Sequence, residues 1–241
     1  MKVEQSLIEA YIRATGRPLR IDGLTFYLRM GQLCCQESRR ERVSGRKWQK
    51  TEARERTKLF FMAMRWVCSQ MKEALGDLPV WRVARQLYAP RMSADNYMHS
   101  VLSPYYNVRG WVQDFENLTV SVGELAPARG MKAVWADGQV TLTWEFEAGM
   151  PHAEGTDVLH VLLVREWAAG IPVLVKGLEA RRRDGVASFP FEFNKAGVLH
   201  VYPFWGREDE TAFSRNVHFA LAGEPPAAES PAGKVTTGES C

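Results

Sequence analysis

Just past Asn117 the apolar residues change their spacing, and this limits the fold more than any other feature of the 241-residue chain. Before that point the recurrence is helical, at three and four residues; after it, apolar and polar residues alternate. The alternation is cleanest in "QVTLTWEFE", where Val140, Leu142, Trp144 and Phe146 point one way and Gln139, Thr141, Thr143 and Glu145 the other. "MKAVWA" precedes it through Asp137-Gly138, a dipeptide that takes the positive backbone angles of a tight hairpin. Further strand candidates are "DVLHVLLVRE", "IPVLVKG", "EARRRDGVASFPFEF", "VLHVYPFWG" and "SRNVHFAL", with Asp184-Gly185 as another turn. Strands about every ten residues with no helix between them predict an antiparallel sandwich.

The first half reads differently. Residues 4–15 put Leu7, Ile8, Tyr11 and Ile12 on one helical face and stop at Gly16. "LTFYLRMGQLCCQ", 24–36, predicts a hairpin turning at Met30-Gly31. From Thr51 to Leu75, Leu59, Met62, Ala63, Trp66, Val67, Met71 and Ala74 recur at helical spacing, with Gly76 just beyond. A helix follows Pro79, and another is capped by Ser93 and interrupted at Pro104. The expected class is therefore α+β in two parts. Residues 1–114 form a basic, mainly helical region with a hairpin near 24–36, and residues 115–222 form the sandwich. Residues 223–241, rich in Pro, Gly, Ala and Ser, are expected to form a disordered tail.

Charge divides along the same boundary. Residues 1–114 hold 20 Lys/Arg against 11 Asp/Glu, while the remainder hold 11 against 17. The net +3 of the chain thus hides +9 and −6, which implies either an anionic partner for the first part or attraction between the two. Of the four cysteines, Cys34 and Cys35 are adjacent, which disfavours a bridge between them, and no C-x-x-C pair or compact Cys/His cluster suggests zinc. Apolar surroundings make a packed thiol the expectation for both. The N-terminus lacks the apolar core of a signal peptide, and no apolar run reaches membrane-spanning length. A soluble, cytoplasmic protein is expected, with no membrane contact.

The strand-like segments "LTVSV", "QVTLTWEF", "VLHVLLVRE" and "VLHVYPFWGREDETAFS" resemble successive strands of a fibronectin type III or immunoglobulin-like sandwich, with Trp144 as its buried tryptophan. Over roughly residues 24–221 the chain also resembles a bacterial family of unknown function, in which a Gly-containing hairpin and a basic helix precede such a sandwich. Here the counterparts are Gly31, the stretch Arg39–Lys58, Trp144, the Ala180–Gly185 hairpin and His200–Phe204. The N-terminal helix and the Pro/Ala-rich tail are additions to that pattern. The resemblance implies a fold and no activity.

Three features bear on function. The stretch Arg39–Lys58 holds nine Lys/Arg and three Asp/Glu around Trp48. Arg39, Arg40, Arg42, Arg46, Lys47, Trp48 and Lys50 are candidates for gripping a polyanion such as a nucleic acid. Pairs such as Glu52 with Arg56 also allow a solvated helix face or docking on the acidic part. His160, His200 and His218 fall in strands that would neighbour one another, either a candidate metal cluster with no evident carboxylate ligand or separately placed histidines that hold no metal. Tyr202, Phe204 and Trp205 are either an exposed surface for a protein partner or covered by the helical part. The sequence lacks the G-x-S-x-G, P-loop, H-E-x-x-H and G-x-G-x-x-G motifs, and no cofactor is expected. The reading is a non-enzymatic interaction or assembly protein that uses Tyr202, Phe204 and Trp205, with nucleic-acid binding as the alternative. Its oligomeric state is left open.

Overall fold

The computed structural model describes residues 5–37, 51–168, 171–193 and 196–223. The chain divides into two compact units, Met1–Lys50 and Thr51–Cys241. The boundary expected at 114 moves to 50, because the helices after Thr51 share a core with the strands that follow.

In the first unit, α1 (Gln5–Thr15) precedes β1 (Leu19–Ile21), β2 (Leu24–Arg29) and β3 (Gln32–Glu37), an antiparallel sheet in the order β1-β2-β3. Both turns place two residues at positive φ: Asp22 and Gly23 at 51° and 76°, Met30 and Gly31 at 52° and 79°. That is the geometry whose twist matches paired antiparallel strands. The hairpin was legible, whereas three-residue β1 was too short to show a period. Helix α1 buries Ile8 and Ile12 but leaves Leu7 and Tyr11 exposed, so its apolar face is narrower than expected. Cys35 is exposed, contrary to the packed thiol expected there.

The second unit opens with α2 (Glu52–Leu75), α3 (Val80–Tyr88) and α4 (Ala94–Leu102). Ser93 caps α4, accepting the Asn96 N–H at 3.2 Å, and the Gly76 N–H closes α2 on Lys72 O at 2.9 Å. The strands are β4 (Arg129–Ala136), β5 (Gln139–Glu145), β6 (Val158–Arg165), β7 (Pro172–Leu174), β8 (Val186–Pro190), β9 (Gly197–Gly206) and β10 (Phe219–Gly223). They form two antiparallel sheets, ordered β4-β5-β8 and β10-β9-β6-β7. One core joins them: Val140, Leu142, Trp144, Ala187 and Phe189 meet Leu159, Val161, Leu163, Leu199, Val201 and Trp205. Trp144 is the buried tryptophan of β5, its ring edge-on to Trp205 with centroids 5.2 Å apart.

A second core lies on the other face of β6 and β9. There Leu162, Val164, Tyr202 and Phe204 pack with Met64, Val67, Met71, Trp81, Met98 and Leu102 of the helices. Strand β9 is therefore buried on both faces, and this overturns the expected contact surface. Tyr202 and Phe204 lie beneath the helices and Trp205 lies between the sheets, none more than 1% exposed. Burying one such ring stabilises the fold by roughly 1.5–3 kcal/mol.

Two expected strands change character. "LTVSV", 118–122, is not a strand, because the Val120 and Ser121 N–H groups bond to one side chain, Asn216 Oδ1, at 2.8 and 3.2 Å. Asn216 Nδ2 donates to Leu118 O at 3.1 Å, so the asparagine stands in for a strand partner. Asn216→Leu is expected to cost about 2 kcal/mol or more in chemical denaturation, since it strands polar groups around buried Val120 and Ser121. A loss below about 0.5 kcal/mol would show that the segment re-pairs without it. Ala180–Gly185 is not a hairpin: Arg182–Asp184 form one 3-10 turn before β8, ended by Gly185 at φ 73°.

Candidate functional site

Helices α2 and α4 part along a cleft of about 600 Å³, with Phe61, Arg65, Ser69 and Lys72 of α2 facing Ser93, Asp95, Asn96 and His99 around α4. The α2 residues recur at four, four and three positions, which is one helical face. Lys72 Nζ closes one end on Asp95, 3.2 Å from each carboxylate oxygen. The Phe61 and His99 rings lie 5.5 Å apart, and the Arg65 guanidinium sits 6.0 Å from the Phe61 centroid. Cys68 also lines the cleft, and burial, with Asp95 adding to it, pushes its thiol up to about 11. It is a packed thiol with no nucleophilic character near neutral pH.

The outer part of α2 is apolar as well. Leu59, Phe61, Met62 and Trp66 are 59%, 51%, 58% and 44% exposed. The buried face is instead Met64, Val67, Cys68, Met71 and Leu75. The expected stripe through Leu59, Met62 and Trp66 exists at the expected spacing but faces away from the core, and the buried stripe begins only at Met64.

Two of the three strand histidines meet. His200 Nδ1 and His218 Nε2 are 2.9 Å apart, and His200 Nε2 lies 3.2 Å from Glu166 Oε1. With Glu166 accepting from His200 Nε2–H, His200 Nδ1 is left to accept from His218 Nε2–H, which fixes both neutral tautomers. Phe115 stacks on His200 at 3.9 Å, and its carbonyl accepts from the Tyr202 hydroxyl at 2.7 Å. Burial lowers both imidazoles below their ordinary range; Glu166 opposes the shift at His200, and His200 adds to it at His218. The arrangement ties the loop after α4 to β9.

His160 does not join them. It pairs with Phe204 along β6 and β9, while His200 pairs with Val164, four residues away. Its ring stacks on Phe204 at 5.3 Å, and a Cβ at Gly206 would fall 2.8 Å from its Nε2, so that glycine makes room for the imidazole. The three-histidine cluster is therefore not formed, and no group of three metal-holding side chains occurs among the described residues.

Sequence reasoning missed a buried pair. Arg182 Nε donates to Asp157 Oδ2 at 3.0 Å, Arg182 Nη2 to Ala126 O at 2.8 Å, and the guanidinium lies 4.6 Å from the Trp205 ring. The Trp144 indole donates to Arg182 O at 2.6 Å. "ARRRDG" looks like a charged turn, and nothing local distinguishes the middle arginine from its neighbours. The candidate polyanion residues Arg39, Arg40, Arg42, Arg46, Lys47, Trp48 and Lys50 lie outside the described residues.

Comparison with models of known protein families and with curated proteins finds no match. No helix among the described residues is long and apolar enough to cross a membrane.

Proposed function

We propose that this chain is a non-enzymatic interaction or assembly protein, in which a fibronectin type III-like sandwich carries a helical layer that meets a protein partner. The sheet orders β4-β5-β8 and β10-β9-β6-β7, with Trp144 buried on β5, support the sandwich and the resemblance that suggested it. The observation that carries the reading is the exposed face of α2. Leu59, Met62 and Trp66 share one side of the helix and Phe61 lies toward the cleft, so four large apolar side chains stand in solvent within eight residues, and exposed apolar side chains grouped in this way mark a contact surface. This face replaces the surface expected at Tyr202, Phe204 and Trp205, which is inside the protein.

The test is photocrosslinking in the native host with p-benzoylphenylalanine at position 62, and at Glu73 on an exposed part of the same helix as a control. The expected result is a discrete adduct to a second protein or a second copy from position 62 only. Its loss in a Leu59→Glu background would tie the adduct to the apolar face. No adduct, or equal adducts from both positions, would overturn the reading.

Nucleic-acid binding is the second reading, supported by Glu52–Lys58 of α2, where Arg56 and Lys58 are exposed. It predicts duplex or single-strand affinity that falls steeply with salt and is lost on changing Arg39, Arg40, Arg42, Arg46 and Lys47 to Ala.

A further inference from the structure

We propose that the cleft between α2 and α4 is a binding site for a monocarboxylate borne on an aromatic ring. Its volume of about 600 Å³ falls within the usual range for small-ligand sites, roughly 300–1,000 Å³. The lining defines the chemistry. Lys72 and Asp95 neutralise each other at one end. Arg65 has no carboxylate partner among the described residues, which leaves the cleft one net positive charge. One negative charge answers it. A dianion such as phosphate would meet Asp95, and the Asn96 N–H at the start of α4 is already held by Ser93 Oγ. A cation would meet Arg65 and Lys72.

Arginine presents a planar fork that takes a carboxylate through two parallel hydrogen bonds. Beside it stand three rings, Phe61, Trp66 and His99, two of them largely open to solvent. A planar group attached to the carboxylate would stack there and cover them. His99 Nε2, on a residue lining the cleft, is buried without a protein partner among the described residues. This inference shares Phe61 and Trp66 with the apolar side of α2 but does not require that side to bind a protein.

Two sources carry this chemistry, a free aromatic acid or an acidic residue beside an aromatic one in a peptide. The probes are 2-naphthoate, its neutral amide 2-naphthamide, and an acetylated, amidated hexapeptide with a central Phe-Glu pair. Each is titrated into the full chain while the His99 imidazole and Trp66 indole signals are followed by NMR. The expected result is saturable naphthoate binding that shifts both signals and weakens at least about tenfold in Arg65→Gln and for the amide. Phe61→Ala is expected to weaken naphthoate and amide alike, since it removes only the stacking surface. Arg65 and Phe61 are exposed, so both variants should keep the urea midpoint of the parent. Tighter binding of the peptide would support the site and name the peptide source, and tighter binding of naphthoate would name the free acid. No saturation by any probe at millimolar concentration, equal affinity for acid and amide, or an undiminished affinity in Arg65→Gln would overturn the proposal.

Discussion

Replacing Arg182 with methionine while Asp157 stays in place is expected to cost about 3–5 kcal/mol of folding stability, read as a lower urea midpoint with an unchanged slope. Both side chains are almost wholly inaccessible, at 3% and 1% exposure, so the change leaves a carboxylate in a low-dielectric interior with its ion-pair partner gone. Burial alone lowers the Arg182 pKa, and Asp157 opposes that shift through charge and hydrogen bond. The guanidinium also bonds Ala126 O and covers the Trp205 ring, so the variant loses packing as well as charge. Arg182→Met with Asp157→Leu is expected to recover most of the loss, because no unpaired charge then remains inside. A single-variant loss below about 1 kcal/mol would mean that water reaches Asp157.

The second large effect is on pH dependence. Burial lowers His160 from 6.5 to about 4, so the folded state holds it neutral while the unfolded chain binds a proton below 6.5. The stability tied to this group is complete above pH 6.5 and is lost as pH falls from 6.5 to about 4, in total about 3 kcal/mol. His200 and His218 shift in the same direction and add to the slope. The measurement is the urea midpoint at half-unit steps from pH 7.5 to 4 for the parent and His160→Gln, which keeps a polar planar group and does not titrate. Carboxylates contribute equally to both, so the difference isolates His160. Parallel curves would show that the imidazole is protonated in the folded state.

How far the sequence carried depends on whether local pattern or distant pairing decides each element. The turns Met30-Gly31 and Asp137-Gly138, the Ser93 cap and the alternation of β5 are local, and each stands where it was expected. The 118–122 segment fails as a strand because Asn216, nearly a hundred residues on, takes its N–H groups. The apolar pattern of α2 located the helix but not its buried side, since apolar residues occupy two of its faces and only packing on β6 and β9 selects one. Tyr202 and Phe204 were misplaced for a related reason. Alternation in β9 separates two faces, yet both are covered, so strand period says nothing there about inside and outside. Of the three candidate metal-ligating histidines, only His200 and His218 were brought together. The cleft left no sequence signal beyond Phe61, Arg65, Ser69 and Lys72 at helical intervals, which is also how a solvated face reads.

Strand β9 supplies side chains to both cores, and it is made late. During synthesis α2, α3 and α4 leave the ribosome about a hundred residues before Gly197–Gly206, and until then the cores containing the apolar sides of α2 and β5 lack the side chains of β9. The nascent chain must keep these surfaces out of aggregates for several seconds at ordinary elongation rates of roughly 5–20 residues per second. Arrival of a single ten-residue strand then closes both layers together. A stop codon before position 197 would release a chain with neither layer completed, whereas one just after 223 would leave every described strand in place.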